Sequence, residues 1–174
     1  MGNPANPKPA LLFTGILYSD KSYLSKAKES LLSAFGAALL ETPPVSWDYS
    51  EYYKEEIGSP IMRTFIFFKD LINRAEIADI KLRTNDIETS LSTDGKRNVN
   101  IDPGYLTLAN VILATTKGYS HRIYLGKGIY GEVSLLYKEK DKTFVPNIFT
   151  YSDYQDKKCI EMFIKAREFL KLKK

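Results

Sequence analysis

The sequence predicts an α+β fold, a mostly antiparallel sheet with helices packed on it, and three observations carry that prediction. The 174 residues suit one domain, in which roughly two-thirds of the unfolded chain's surface can be buried. Short runs rich in β-branched and aromatic residues, bounded by Gly, Pro, Asn and Asp, recur along the chain. Two segments, near residues 20–35 and 153–172, instead space their apolar residues at the period of a helix. The opening strand–helix–strand–strand order permits a ferredoxin-like half.

Residues 1–9 hold three prolines, one lysine and no apolar signal core, and are expected to be a flexible lead to a globular domain over 10–174. Ala10–Tyr18 is an almost unbroken apolar run, as in a strand buried on both faces. Ser19 and Asp20 offer N-caps to a helix whose Leu24, Ala27, Leu31 and Phe35 recur at helical spacing, and Gly36 suits its C′ position. A strand over Leu39–Trp47 is pushed to a sheet edge by Pro43 and Pro44. The segment 47–58, WDYSEYYKEEIG, is acidic and aromatic. Met62–Phe68 reads as a strand, and Asn73 with Glu76 can start a short turn.

Ala78, Ile80, Leu82 and Thr84 then alternate with Asp79, Lys81, Arg83 and Asn85. That period of two predicts a strand with its polar groups on one face. Asn85 and Glu88 have capping-box spacing for a helix over Asp86–Ser92. Asp94-Gly95 marks a turn, and Val99 and Ile101 a strand ended by Asp102-Pro103-Gly104. Tyr105–Thr116 fits a buried helix or a long buried strand, with strand preferred. Ile123–Leu125 and Tyr130–Tyr137 flank Gly126-Lys127-Gly128 as a hairpin. The last helix opens at Ser152 and Gln155, with Ile160, Phe163, Ile164 and Leu170 as its apolar stripe.

Composition excludes several function classes. The net charge of +4 does not argue for a dedicated nucleic-acid binder, without excluding one, and it admits an anionic small molecule. Cys159 is the only cysteine, so no internal disulfide or thiolate metal cluster forms. The one histidine, His121, cannot build a multi-histidine metal site, and the expectation is no metal. No apolar run approaches the ~18 residues of a membrane span. A cytoplasmic location and no membrane partner are therefore expected. Twelve tyrosines suit amphipathic surfaces and pocket walls.

The most conspicuous motif, Gly126-x-Gly128-x-x-Gly131-x-Val133, has the form of a kinase glycine-rich loop. About forty residues follow it, without a catalytic loop or Asp-Phe-Gly, and a tight hairpin is the better reading. No P-loop is present, and Thr116-Lys117-Gly118-Tyr119 lacks the acidic residue of a guanine-specificity tetrapeptide. The remaining polar chemistry lies between Lys81 and Glu132. Lys81, Arg83, Arg97, Lys117 and Arg122 are candidates to neutralise an anion, since Arg forks suit phosphate and carboxylate. Asn85, Asn100 and Tyr124 are candidates to orient it, with His121 and Asp102 as acid/base pair. Asp48, Glu51, Glu55 and Glu56 could supply pairing charges or ligate Mg²⁺.

Several blocks together resemble one family. They are Tyr52-Tyr53 to Gly58, Ala78–Asn85, Val99–Leu106, Leu113–Lys117 and His121–Tyr130, and their order matches the bacterial and archaeal family called domain of unknown function 4416. The likeness covers nearly the whole chain. It implies a cytoplasmic prokaryotic protein, and supplies neither activity nor cofactor. Gly118, where the family pattern often has an acidic residue, and Gly131, where it has alanine, depart from that pattern.

Three functions follow as expectations. The leading one is binding of a phosphorylated or carboxylated small molecule, nucleotides included, in a pocket of Lys, Arg and Asn with His121. The second is a non-catalytic protein-interaction module docking through segment 47–58. The third is a single-stranded RNA binder using Tyr105, Tyr119 and Tyr124 among basic residues.

Overall fold

The computed structural model describes residues 2–173, in which nine strands form one antiparallel sheet flanked by four α-helices. In chain order these are β1 (Ala10–Tyr18), α1 (Lys21–Phe35), β2 (Ala38–Glu41), β3 (Val45–Ser46), α2 (Glu51–Ile57), β4 (Met62–Ile72) and α3 (Ile77–Ser90). There follow β5 (Val99–Leu106), β6 (Asn110–Thr115), β7 (Ile123–Gly126), β8 (Ile129–Lys138), β9 (Thr143–Pro146) and α4 (Lys157–Leu172). The sheet order is β2-β4-β1-β5-β6-β8-β7, with β3 on β4 and β9 on β8. The α+β class is as the sequence predicts.

The expected ferredoxin-like half is present and completed. The units β1-α1-β2 and β4-α3-β5 interleave as β2-β4-β1-β5, the order of a β-α-β-β-α-β domain. Both helices cover the same face: Leu24, Ala27 and Leu31 of α1 share a core with Ile77, Ala78, Ile80 and Ile87 of α3. The opposite face carries α4. There Phe163 meets Phe13, Phe65 and Phe67 with ring centroids 5.0, 5.8 and 5.7 Å away. The central strand β1 is buried along its whole length, as its unbroken apolar run requires.

Local chemistry sets the boundaries. The Asp20 carboxylate accepts the Ser22 amide at 2.7 Å and starts α1, while Gly36 takes φ 89° after it. Asp156, rather than Ser152, caps α4 by accepting the Lys158 amide at 2.8 Å; Ser152–Tyr154 is a separate 3₁₀ turn. The stretch expected as one element from Tyr105 to Thr116 is strand at both ends, broken by a turn at Thr107–Ala109.

One expectation is overturned. Residues 77–90 form helix α3, not a strand followed by a short helix. Its buried positions are Ile77, Ala78, Ile80, Lys81, Thr84, Ile87 and Glu88, a helical period that apolar residues alone do not show. Lys81, Thr84 and Glu88 carry the missing beats of the pattern, because polar side chains are buried there. Lys81, Arg83 and Asn85 therefore do not share a face.

A second correction concerns β5, which runs straight through Asp102-Pro103-Gly104 to Leu106. Pairing with β6 covers only Gly104–Leu106, opposite Leu113–Val111. Before Gly104 the two strands part, although β5 stays paired to β1 as far as Val99. In the gap, α3 replaces the missing strand. Glu88 Oε1 accepts the Ile101 amide, and Lys81 Nζ donates to the Ile101 carbonyl at 3.0 Å. Alternation along β5 puts the Pro103 nitrogen on the same side, where its lack of an N–H leaves no donor unpaired.

Candidate functional site

The parting of β5 and β6 opens a cavity of about 630 Å³, within the usual range for small-molecule sites. Gly15 and Leu17 of β1 and Arg63 of β4 lie in its lining, with Asn100 and Asp102 on one lip and Leu113–Lys117 on the other. Lys81, Asn85 and Glu88 reach it from α3, and Glu132 from β8. Aromatic residues wall it: Trp47, Tyr49, Tyr52 and Tyr53 from segment 47–58, and Tyr151 and Tyr154 from the approach to α4.

Segment 47–58 is anchored rather than free. Trp47 and Ile57 pack with Leu17 and Ile61 in a small core of their own, against which Tyr53 rests. The Trp47 indole donates to Asp153 Oδ2 at 2.8 Å, and the Ser19 hydroxyl to the Ile57 carbonyl. Glu56 takes a two-pronged ion pair from Arg97, at 2.8 and 2.6 Å. Asp48 and Glu51 instead pair with Lys54.

Most cations of the cavity are neutralised by carboxylates distant in sequence. Arg97 also donates to Asn100 Oδ1 at 2.8 Å and approaches Glu88 at 3.4 Å. Lys81 lies 3.4 Å from Asp102, whose other oxygen accepts from Asn100 Nδ2 at 2.6 Å. Arg63 pairs with Asp153 and lies against the rings of Phe65 and Tyr154, 4.1 and 4.4 Å from their centroids. Lys117 is different. Among the described residues it makes no ion pair, and its ammonium stands 5.8 Å from the Tyr52 ring.

These environments shift several titrations. Burial raises the Glu88 pKa despite the opposing cations Lys81 and Arg97. Hydrogen bonds from Arg97 lower that of Glu56. Burial raises the Tyr154 phenol well above its ordinary value, so it remains an O–H group. Cys159, against the same wall, is pushed up to about 12 by burial and is an unreactive thiol.

Of the residues singled out from sequence, Lys81, Asn85, Arg97, Asn100, Asp102 and Lys117 converge on this cavity. Arg122 stands behind it, clamping Glu132 at 2.6 Å, the Lys117 carbonyl at 2.8 Å and the Tyr151 hydroxyl at 2.7 Å. His121 stacks on Phe149 with Nε2 3.4 Å from Glu132, and no hydrogen bond joins it to Asp102. Arg83 is exposed beside Phe35, 5.9 Å from its ring and next to a separate shallow hollow. Tyr124 is exposed on the hairpin, where its hydroxyl accepts from the Gly128 amide at 3.3 Å.

Arg63, Glu88, Glu132, Asp153 and the two tyrosines Tyr151 and Tyr154 were not singled out. Only Arg63 carried a signal, a lone cation within the apolar run Met62–Phe68. Among the described residues no group of three or more His, Cys, Asp and Glu side chains is placed to hold a metal ion. No described helix is long and apolar enough to cross a membrane.

Comparison with known proteins gives one positive result. A family model described as "Domain of unknown function (DUF4416)" matches residues 8–169. No curated protein and no solved structure matches the chain.

Proposed function

The chain belongs to the DUF4416 family, and we propose that it binds a small molecule bearing a phosphate or carboxylate, nucleotides included, in the opening between β5 and β6. The observation that carries this reading is Lys117. It is the cavity's cation without a carboxylate partner among the described residues, on a lip facing six aromatic side chains. Flat aromatic walls with a few directed polar groups are the usual make-up of a cofactor or metabolite site. Lys81, Arg63 and Arg97, each already paired, hold the cavity's shape and orient its acceptors. The proposal takes the protein to be cytoplasmic, in keeping with its single buried, unbridged cysteine.

The interaction-module reading has less support, because Trp47, Tyr53 and Ile57 of segment 47–58 turn inward. Single-stranded RNA also has less, since Tyr105 packs against the α1/α3 core, away from exposed Tyr119 and Tyr124.

A thermal-shift screen of the intact chain with nucleotides, sugar phosphates and simple carboxylates tests the proposal. A ligand at one hundred times its Kd adds about 2.7 kcal/mol of stability. Lys117→Ala, a substitution at an exposed position, should leave unliganded stability unchanged and weaken binding about ten-fold or more. The reading fails if nothing in the panel raises the Tm, or if the variant binds as well as the native chain.

A further inference from the structure

Gly15 lies in the middle of β1, where a glycine weakens a strand and often marks close approach of a ligand or another backbone. In the sheet register it stands opposite Asp102 on β5 and opposite Phe65 on β4, so all three lie on one face of the sheet, where Gly15 and Asp102 line the cavity. A Cβ built on Gly15 would be 3.5 Å from the Tyr154 hydroxyl and 3.2 Å from the Phe65 ring. The missing side chain thus leaves a slot of about methyl size, closed on one side by the Phe65 ring, with a carboxylate and a phenol at its edges.

Both groups have unused hydrogen-bonding capacity. Tyr154 is only 4% exposed, yet its hydroxyl has no partner among the described residues, a costly state for a buried polar atom. Asp102 receives two donors, Lys81 and Asn100, of the roughly four a carboxylate can accept, and its side chain is 43% exposed. Cβ atoms of opposed strand residues stand about 4.5–5.5 Å apart, so one group seated over Gly15 reaches both.

The chemistry of that pair selects a ligand. An acceptor-only carboxylate accepts hydrogen bonds from hydroxyls and repels a second phosphate, while a neutral phenol donates or accepts one hydrogen bond. Resting on the anion-binding reading above, we propose that the ligand is a singly phosphorylated sugar or nucleoside, with its anion at Lys117 and one of its ring hydroxyls over Gly15 between Asp102 and Tyr154. Polyphosphates are excluded by the same pairing, because Arg63, Lys81 and Arg97 are already spoken for by Asp153, Asp102, Glu56 and Glu88.

Calorimetric titration of the full chain with inorganic phosphate, ribose 5-phosphate and glucose 6-phosphate tests this. At least one sugar phosphate should bind ten-fold or more tightly than inorganic phosphate, the increment of one or two hydrogen bonds. Tyr154→Phe removes an unpaired buried hydroxyl, so the variant should fold with equal or higher Tm and yet lose that preference. Asp102→Asn should lose it too; if that variant does not fold, Tyr154→Phe decides alone. Equal binding of phosphate and sugar phosphates, or a preference that survives Tyr154→Phe, overturns the sugar assignment while leaving anion binding standing. Absence of binding by all three probes overturns both.

Discussion

Glu56 and Glu88 meet the same guanidinium, Arg97, under opposite electrostatic conditions. Hydrogen bonds from Arg97 lower the Glu56 pKa, so its contribution is present above the ordinary value of 4.5 and is lost as pH falls below it. Burial raises the Glu88 pKa, so the folded state binds the extra proton and stability declines as pH rises from 4.5 through the folded value. Urea unfolding at pH 4 and pH 7 separates them. Glu88→Gln should gain on the native protein as pH rises, and Glu56→Gln should lose ground over the same interval. A Glu88→Gln difference that does not change with pH would show that its carboxyl titrates normally. At this scale the sequence was readable for which polar residues gather, and six of the ten singled out do line one cavity. It could not show their pairing, because Arg97 and Glu56 are forty-one residues apart and Arg63 and Asp153 ninety.

Elements were readable where apolar residues alone carried the period. β1, α1, β4 and α4 are buried mainly through Leu, Ile, Phe and Ala, and their pattern is visible without structure. α3 is buried partly through Lys81, Thr84 and Glu88, so its alternating hydrophobic residues imitated a strand. Asp102-Pro103-Gly104 imitated a strand end because proline in a central strand is ordinarily excluded, and only a sheet that opens beside it makes room. The last paired residue before that opening is sterically fixed. A Cβ on Gly104 would lie 2.4 Å from the Ile112 carbonyl oxygen and 2.6 Å from the Phe13 ring. Gly104→Ala should therefore destabilise by roughly 1–3 kcal/mol, measured as a lower urea midpoint at unchanged slope. An alanine variant of native stability would mean that β5 and β6 separate freely there.

Among the described residues two large cores lie one on each face of the sheet, beside the small core around Trp47, and α4 is the helix that covers the second. Phe163 is its centre, touching four aromatic rings. Phe163→Ala should cost about 3–5 kcal/mol and register in thermal and urea unfolding alike. A loss below 1 kcal/mol would show that α4 contributes little to the fold. The α+β class followed from the strand and helix patterns and the element order permitted a ferredoxin-like half, but the opening in the sheet was not legible, since it depends on where pairing stops.

That opening leaves the sheet as two panels, β2-β4-β1-β5 and β6-β8-β7 with β9, joined by only three opposed residue pairs. A molecule touching Asp102 and Lys117 at once spans the seam and acts as a non-covalent cross-link between them. Its occupancy should be felt far from the contact, as slower amide exchange through β6 and β8 and a sharper, more cooperative unfolding of the two panels together.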